Sequence, residues 1–151
     1  VPAMESLAGL AWTPQARELA RVFWPGALTL VLGDPESTFP LGVRSPAGAV
    51  AVRMSPQPVA RGVVETLGAA LVSTSANPPG HAPALVASDA VRAGVALGAG
   101  PELWVLDAGP LFPSEPSTLV DCTGPDALVL RSGAISIDRL RCVLPRIHGP
   151  A

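Results

Sequence analysis

The chain has 151 residues, 48% of them hydrophobic and 15% charged, with a formal net charge of −2. That balance excludes a disordered polymer, which needs low hydrophobicity and high charge, and makes one domain with a real core the simplest organisation. All ten basic residues are arginine, which excludes lysine Schiff-base chemistry and a phosphate-loop lysine, and the slight acidity offers nucleic acid no global attraction.

Val1 is not an initiator methionine and the opening reads as mid-domain sequence, so loss of an N-terminal part is expected. Thr13-Pro14 reads as a helix N-cap followed by proline at the first helical position. The helix over 15–24 places Ala16, Leu19, Ala20 and Phe23 on one face, and Pro25-Gly26 stops it. Residues 27–32 form a short apolar run, read as a buried strand. The Pro, Gly, Ser and Asp content of 33–48 reads as a long loop or irregular hairpin. A strand at 50–54 then delivers Arg53 near its end, either to an anionic ligand or to a structural ion pair.

The helix over 58–67 carries Val59, Val63, Val64 and Leu67 on one face, with Gly68 as its C-cap. Residues 69–72 read as a buried strand running into Ser73, Thr74, Ser75 and Asn77, and Pro78-Pro79-Gly80 break the chain. A strand ending in a small, polar turn is where open α/β sheets place ligands. The same hydroxyls and amide can also satisfy their own backbone. Ser88 reads as the cap of a helix over 89–97. Strands are expected at 103–106, 119–122 and 127–130, the last two suited to a hairpin, and 135–144 closes the chain as mixed strand or helix. Alternating strands and helices argue for α/β.

The longest apolar runs fall far short of the roughly 18 to 20 residues that span a bilayer, and no cationic leader is present, so no membrane role is expected. Cys122 and Cys142 lie in apolar runs and read as buried thiols of a cytoplasmic protein. Trp24 and Trp104 read as core residues. Asp107 and Asp121 read as turn residues and His81 as a solvent-facing loop residue. No nucleophile elbow, metal-binding His pair or Gly-rich dinucleotide or phosphate loop occurs. What remains is Arg53, the Ser73/Ser75/Asn77 group, Ser117 with Thr118, and Arg131, all at strand ends. Guanidinium forks and hydroxyls suit an anionic ligand.

These segments, in order, resemble the YrdC-like family of threonylcarbamoyl-adenylate synthases. FWPGALTLVL at 23–32, VAVRM at 50–54, LVSTSAN at 71–77, PSTLVD at 116–121 and LRSG at 130–133 carry the resemblance. It implies an α/β fold on a twisted mixed sheet with helices and a concave ligand site. It implies that L-threonine, bicarbonate and ATP give threonylcarbamoyl-AMP and pyrophosphate, with Mg2+ offsetting phosphate charge and the product serving tRNA modification. Catalysis would be by positioning, with no protein nucleophile and no protein metal ligands. Arg53, Ser73 and Ser117 would hold L-threonine, while Ser75, Asn77 and Arg131 would bind ATP. tRNA or the downstream threonylcarbamoyl-transferring proteins are the implied partners. The family's N-terminal KxR motif, which grips ATP phosphates, has no counterpart here, and Pro79 stands where a hydroxyl is usual, so weak ATP binding is expected. A carbamoyl-adenylate-forming domain of a carbamoyltransferase and a non-catalytic RNA-binding module are the alternatives on this fold.

Overall fold

The computed structural model describes residues 1, 4 and 7–149. The chain forms two compact units, Val1–Leu71 with Glu115–Ala151, and the intervening Val72–Ser114.

The first unit is built on a four-stranded mixed sheet. Its strands are β1 (Leu28–Gly33), β2 (Ala49–Val52), β3 (Thr118–Asp121) and β4 (Leu128–Arg131), in the spatial order β2-β1-β3-β4. β1 pairs antiparallel with β2 and parallel with β3, and β3 pairs antiparallel with β4 as the expected hairpin. Helix α1 (Pro14–Phe23) begins where Thr13 accepts the Ala16 N–H on its hydroxyl, and it buries Ala16, Leu19, Ala20 and Phe23, the four residues its spacing puts on one face. These meet Leu28, Leu30 and Leu32 of β1, Val50 and Val52 of β2, and Val120 and Val129 beyond. Each such side chain fully removed from water contributes about 2 kcal/mol. Trp24 joins the edge of this core, its ring edge-on to Trp12 with centroids 6.0 Å apart.

The loop after β1 is held by Asp34, whose carboxylate accepts the backbone N–H groups of Thr38 at 2.9 Å and Phe39 at 3.0 Å. Burial pushes this carboxyl up, but those backbone bonds and the charge of Arg44 more than offset it and leave it below the ordinary carboxylate range. Helix α2 (Pro58–Leu67) ends on Gly68 in the left-handed conformation, as read from sequence. Its apolar face is only half covered: Val63 and Val64 are partly buried, while Val59 and Leu67 are exposed.

In the second unit, helix α3 (Ala87–Ala96) follows Val86 at the N-cap position, without a side-chain cap bond. Ser88 therefore lies inside the helix rather than capping it. Helix α4 (Ile137–Arg141) belongs to the first unit and is capped by Ser136.

Further sequence expectations are corrected. Residues 69–72 and 103–106 form no strand, because no ladder partner lies against them among the described residues and their side chains, Val72 and Leu106 among them, stay exposed. Trp104, expected in the core, is 88% exposed for the same reason. Cys122 is buried, but Cys142 is exposed, because it follows α4 at its C-cap while Leu140 takes the inward position.

Candidate functional site

β1 is where the core and the candidate site share one strand. Leu28, Leu30 and Leu32 alternate into the core, so Thr29 and Val31 must point to the opposite face. The ladder extends that face across the sheet. Thr29 pairs with Leu119 of β3, and Leu119 with Arg131 of β4. Val52, paired with Leu30, is buried, which turns the next residue, Arg53, to the side of Thr29. Arg53, which directly follows β2, and Arg131 of β4 thus occupy the same face as Thr29.

The centre of this face is Ser117. Its hydroxyl lies 2.7 Å from the Thr29 hydroxyl. The Arg131 guanidinium donates to the Ser117 carbonyl from Nε at 3.3 Å and from Nη2 at 2.9 Å, and Nη2 reaches the Ser117 hydroxyl at 3.3 Å. Thr118 points the other way into the core, where its hydroxyl donates to the Ile135 carbonyl at 2.7 Å and accepts the Ile135 N–H at 3.0 Å.

Close packing behind Ser117 depends on Gly133. A Cβ placed there would sit 2.3 Å from the Pro116 carbonyl oxygen and 2.7 Å from the Ser117 carbonyl carbon. Gly133 and the Ala134 N–H, which donates to the Pro116 carbonyl at 3.0 Å, therefore dock the strand-end loop against the residues presenting Ser117.

Arg53 donates from Nε to the Gly26 carbonyl at 2.9 Å, while the Gly26 N–H donates to the Met54 carbonyl at 2.9 Å. Desolvation lowers the pKa of Arg53 below the ordinary arginine value, yet a guanidinium stays charged throughout the physiological range. No carboxylate is paired with Arg53 or with Arg131 among the described residues. Of the two sequence readings of Arg53, a structural ion pair is not what the described residues show.

The second unit carries the remaining candidates. Ser73 and Ser75 are exposed. The Asn77 amide nitrogen donates to the carbonyls of Pro78 at 3.1 Å and His81 at 2.9 Å, so the side chain closes its own turn. That leaves its Oδ1, shielded from solvent, without a donor among the described residues. His81 is exposed, and Asp107 and Asp121 accept the N–H groups of Gly109 and Thr123, the turn roles expected of them. Thr29 is the site residue that sequence reasoning missed. It sat inside a strand signal, and only the parallel pairing of β1 with β3 brings its hydroxyl to Ser117.

Cys122 follows the other end of β3 from Ser117 and is buried. Burial, and secondarily the charge of Asp121, pushes its thiol up to about 12. Among the described residues no three His, Cys, Asp or Glu side chains are placed to hold a metal ion. The residues here do not form a cage for Mg2+.

The first unit is a mixed α/β sheet with its core on one face and, on the other, two guanidinium groups without carboxylate partners among the described residues, flanking a hydroxyl pair. The family model described as telomere recombination, Sua5/YciO/YrdC, matches residues 1–133, and the chain belongs to that family. A provisionally named threonylcarbamoyl-AMP synthase of Mycobacterium tuberculosis is 43% identical over 130 residues, covering 85% of this chain and 57% of that protein. The threonylcarbamoyl-AMP synthase of Bacillus subtilis is 31% identical over 145 residues, covering 96% of this chain and 40% of its own length. Sua5 of P. abyssi, in its structure complexed with L-threonine, superposes with a TM-score of 0.84 at 27% identity, over 97% of this chain and 42% of that one. The chain thus spans between two-fifths and three-fifths of the length of these relatives.

Proposed function

We propose that this chain carries the L-threonine-binding part of a threonylcarbamoyl-AMP synthase acting in tRNA modification. The observation that carries the reading is the sheet face on which Arg53, Thr29, Ser117 and Arg131 lie together, with the core on the other side. The threonine amine would capture bicarbonate as a carbamate with loss of water. A carbamate oxygen then attacks the α-phosphorus of ATP, and the bond to pyrophosphate breaks. Such a transfer needs positioning and charge stabilisation rather than a protein nucleophile.

In this reading the Arg53 guanidinium pairs with the threonine carboxylate beside Ser117 on the sheet face of the first unit, while Ser73, a threonine contact by the family resemblance, belongs to the second unit. Arg131 of the first unit is the proposed nucleotide contact there, and Ser75 and Asn77 are the candidates of the second unit taken by itself. Asn77 would serve as an acceptor through its Oδ1, which has no donor among the described residues, since its nitrogen is committed to the turn. This chain has no lysine, so the permanently charged side chains it can offer phosphate are arginines. Mg2+ would arrive on the phosphates of ATP, consistent with its preference for phosphate and water oxygens over all-protein cages. A threonine- and ATP-using enzyme of tRNA modification belongs in the cytoplasm, and no helix among the described residues is long and apolar enough to cross a membrane.

The test is pyrophosphate release by the protein expressed from its complete reading frame. Release that requires L-threonine, bicarbonate and ATP together is the expected result. Release independent of threonine, or none with all three present, contradicts the reading.

A further inference from the structure

We propose that Thr29 is a positioning residue that turns the Ser117 hydroxyl into an obligate donor toward a ligand carboxylate. The inference rests on the threonine-binding reading of this face.

A hydroxyl has one proton to donate and two lone pairs to accept with. Ser117 is 8% exposed, so its hydroxyl has few alternatives to the partners around it. One lone pair faces Arg131 Nη2 at 3.3 Å, a group that can only donate. The second contact is Thr29 at 2.7 Å, where either oxygen could be the donor. A carboxylate arriving at Ser117 decides between the two directions, because an ionised carboxylate only accepts. Ser117 must then give it its single proton, and Thr29 must donate to the lone pair that remains. Arg131 and Thr29 together would saturate Ser117 as an acceptor and aim its proton outward.

Thr29 holds this geometry from the middle of the sheet. It stands in β1 between core leucines, with β2 on one side and β3 on the other. Its β-branched side chain is restricted in χ1, which fixes the hydroxyl relative to β3. The ligand itself need not touch Thr29.

The experiment is calorimetric titration of wild type, Thr29→Val and Thr29→Ser with L-threonine and with L-threoninol, which replaces the carboxylate by a hydroxymethyl group. Valine keeps the shape and deletes the donor, whereas serine keeps the donor. Thr29→Val is expected to bind L-threonine about fivefold more weakly, the scale of one hydrogen bond. It should bind L-threoninol as wild type does, since a hydroxyl can accept or donate, and Thr29→Ser should stay within about twofold of wild type for both. Thr29→Ala carries the same expectation as valine and replaces it if valine does not fold. Unchanged threonine affinity in Thr29→Val, or an equal loss for both ligands, overturns the role of Thr29 while leaving the threonine reading standing. Failure of the wild-type chain to bind L-threonine overturns that reading, and this inference with it.

Discussion

Arg53 makes one side-chain hydrogen bond, from Nε to the neutral carbonyl of Gly26, and leaves the rest of its fork unpaired among the described residues. A single bond of this kind contributes about 1 kcal/mol to stability. Arg53→Ala should therefore lower the melting temperature by only about 3 °C. Differential scanning fluorimetry checks this, and a fall several times larger would make Arg53 a structural residue. The cysteines give a second residue-scale expectation. Cys142 is exposed, whereas Cys122 is buried with its thiol pushed up to about 12. A maleimide at neutral pH should label one thiol per folded chain and two in denaturant. Two rapid reactions on the folded chain would contradict the burial of Cys122. From sequence the two residues looked alike, since each sits in an apolar run. The distinction comes from helix direction at 137–141, which a run of letters does not display.

At the scale of elements, the strands of the sheet and the helix against it were legible because each carries its own burial signal. The four apolar residues of α1 at helical spacing are the four it buries. The alternation in β1 likewise separates core leucines from Thr29 and Val31. Residues 69–72 and 103–106 carry equally apolar letters, yet an apolar run becomes a strand only where a neighbour accepts its ladder. Among the described residues none does. The LRSG segment shows the opposite case, a motif whose reason appears only in three dimensions. Gly133 lies so close to Pro116 and Ser117 that any side chain must displace the strand end presenting Ser117. Gly133→Ala is expected to cost about 2 kcal/mol or more of stability, as overpacking does, and to abolish measurable L-threonine binding. Chemical denaturation and calorimetry on the same variant check both, and wild-type values in either would contradict the close-approach account.

For the whole molecule, composition alone excluded disorder and a lysine-based chemistry, and the ordered motifs pointed to the family that the comparisons support. What composition and motif order left open was which site residues share a surface. Arg53 and Arg131 are separated by about half of the chain, and they lie on one face because β1 pairs parallel with β3 while each has its own antiparallel partner. The pairing order is a tertiary choice, made by the shared core of leucines and valines, so no local pattern announces it. Ser73, Ser75 and Asn77 were named from the sequence as a ligand turn, and within their own unit Asn77 also does the humbler work of closing that turn.

The central claim is that the open face of the sheet receives L-threonine through Arg53. Calorimetric titration of this chain with L-threonine, beside Arg53→Ala, tests it most directly. Saturable one-to-one binding by the wild-type chain, weakened at least about tenfold in a folded Arg53→Ala variant, is the predicted result, the scale of a lost charge-assisted pair. No threonine binding by the wild-type chain, or equal affinity in the two proteins, would contradict it.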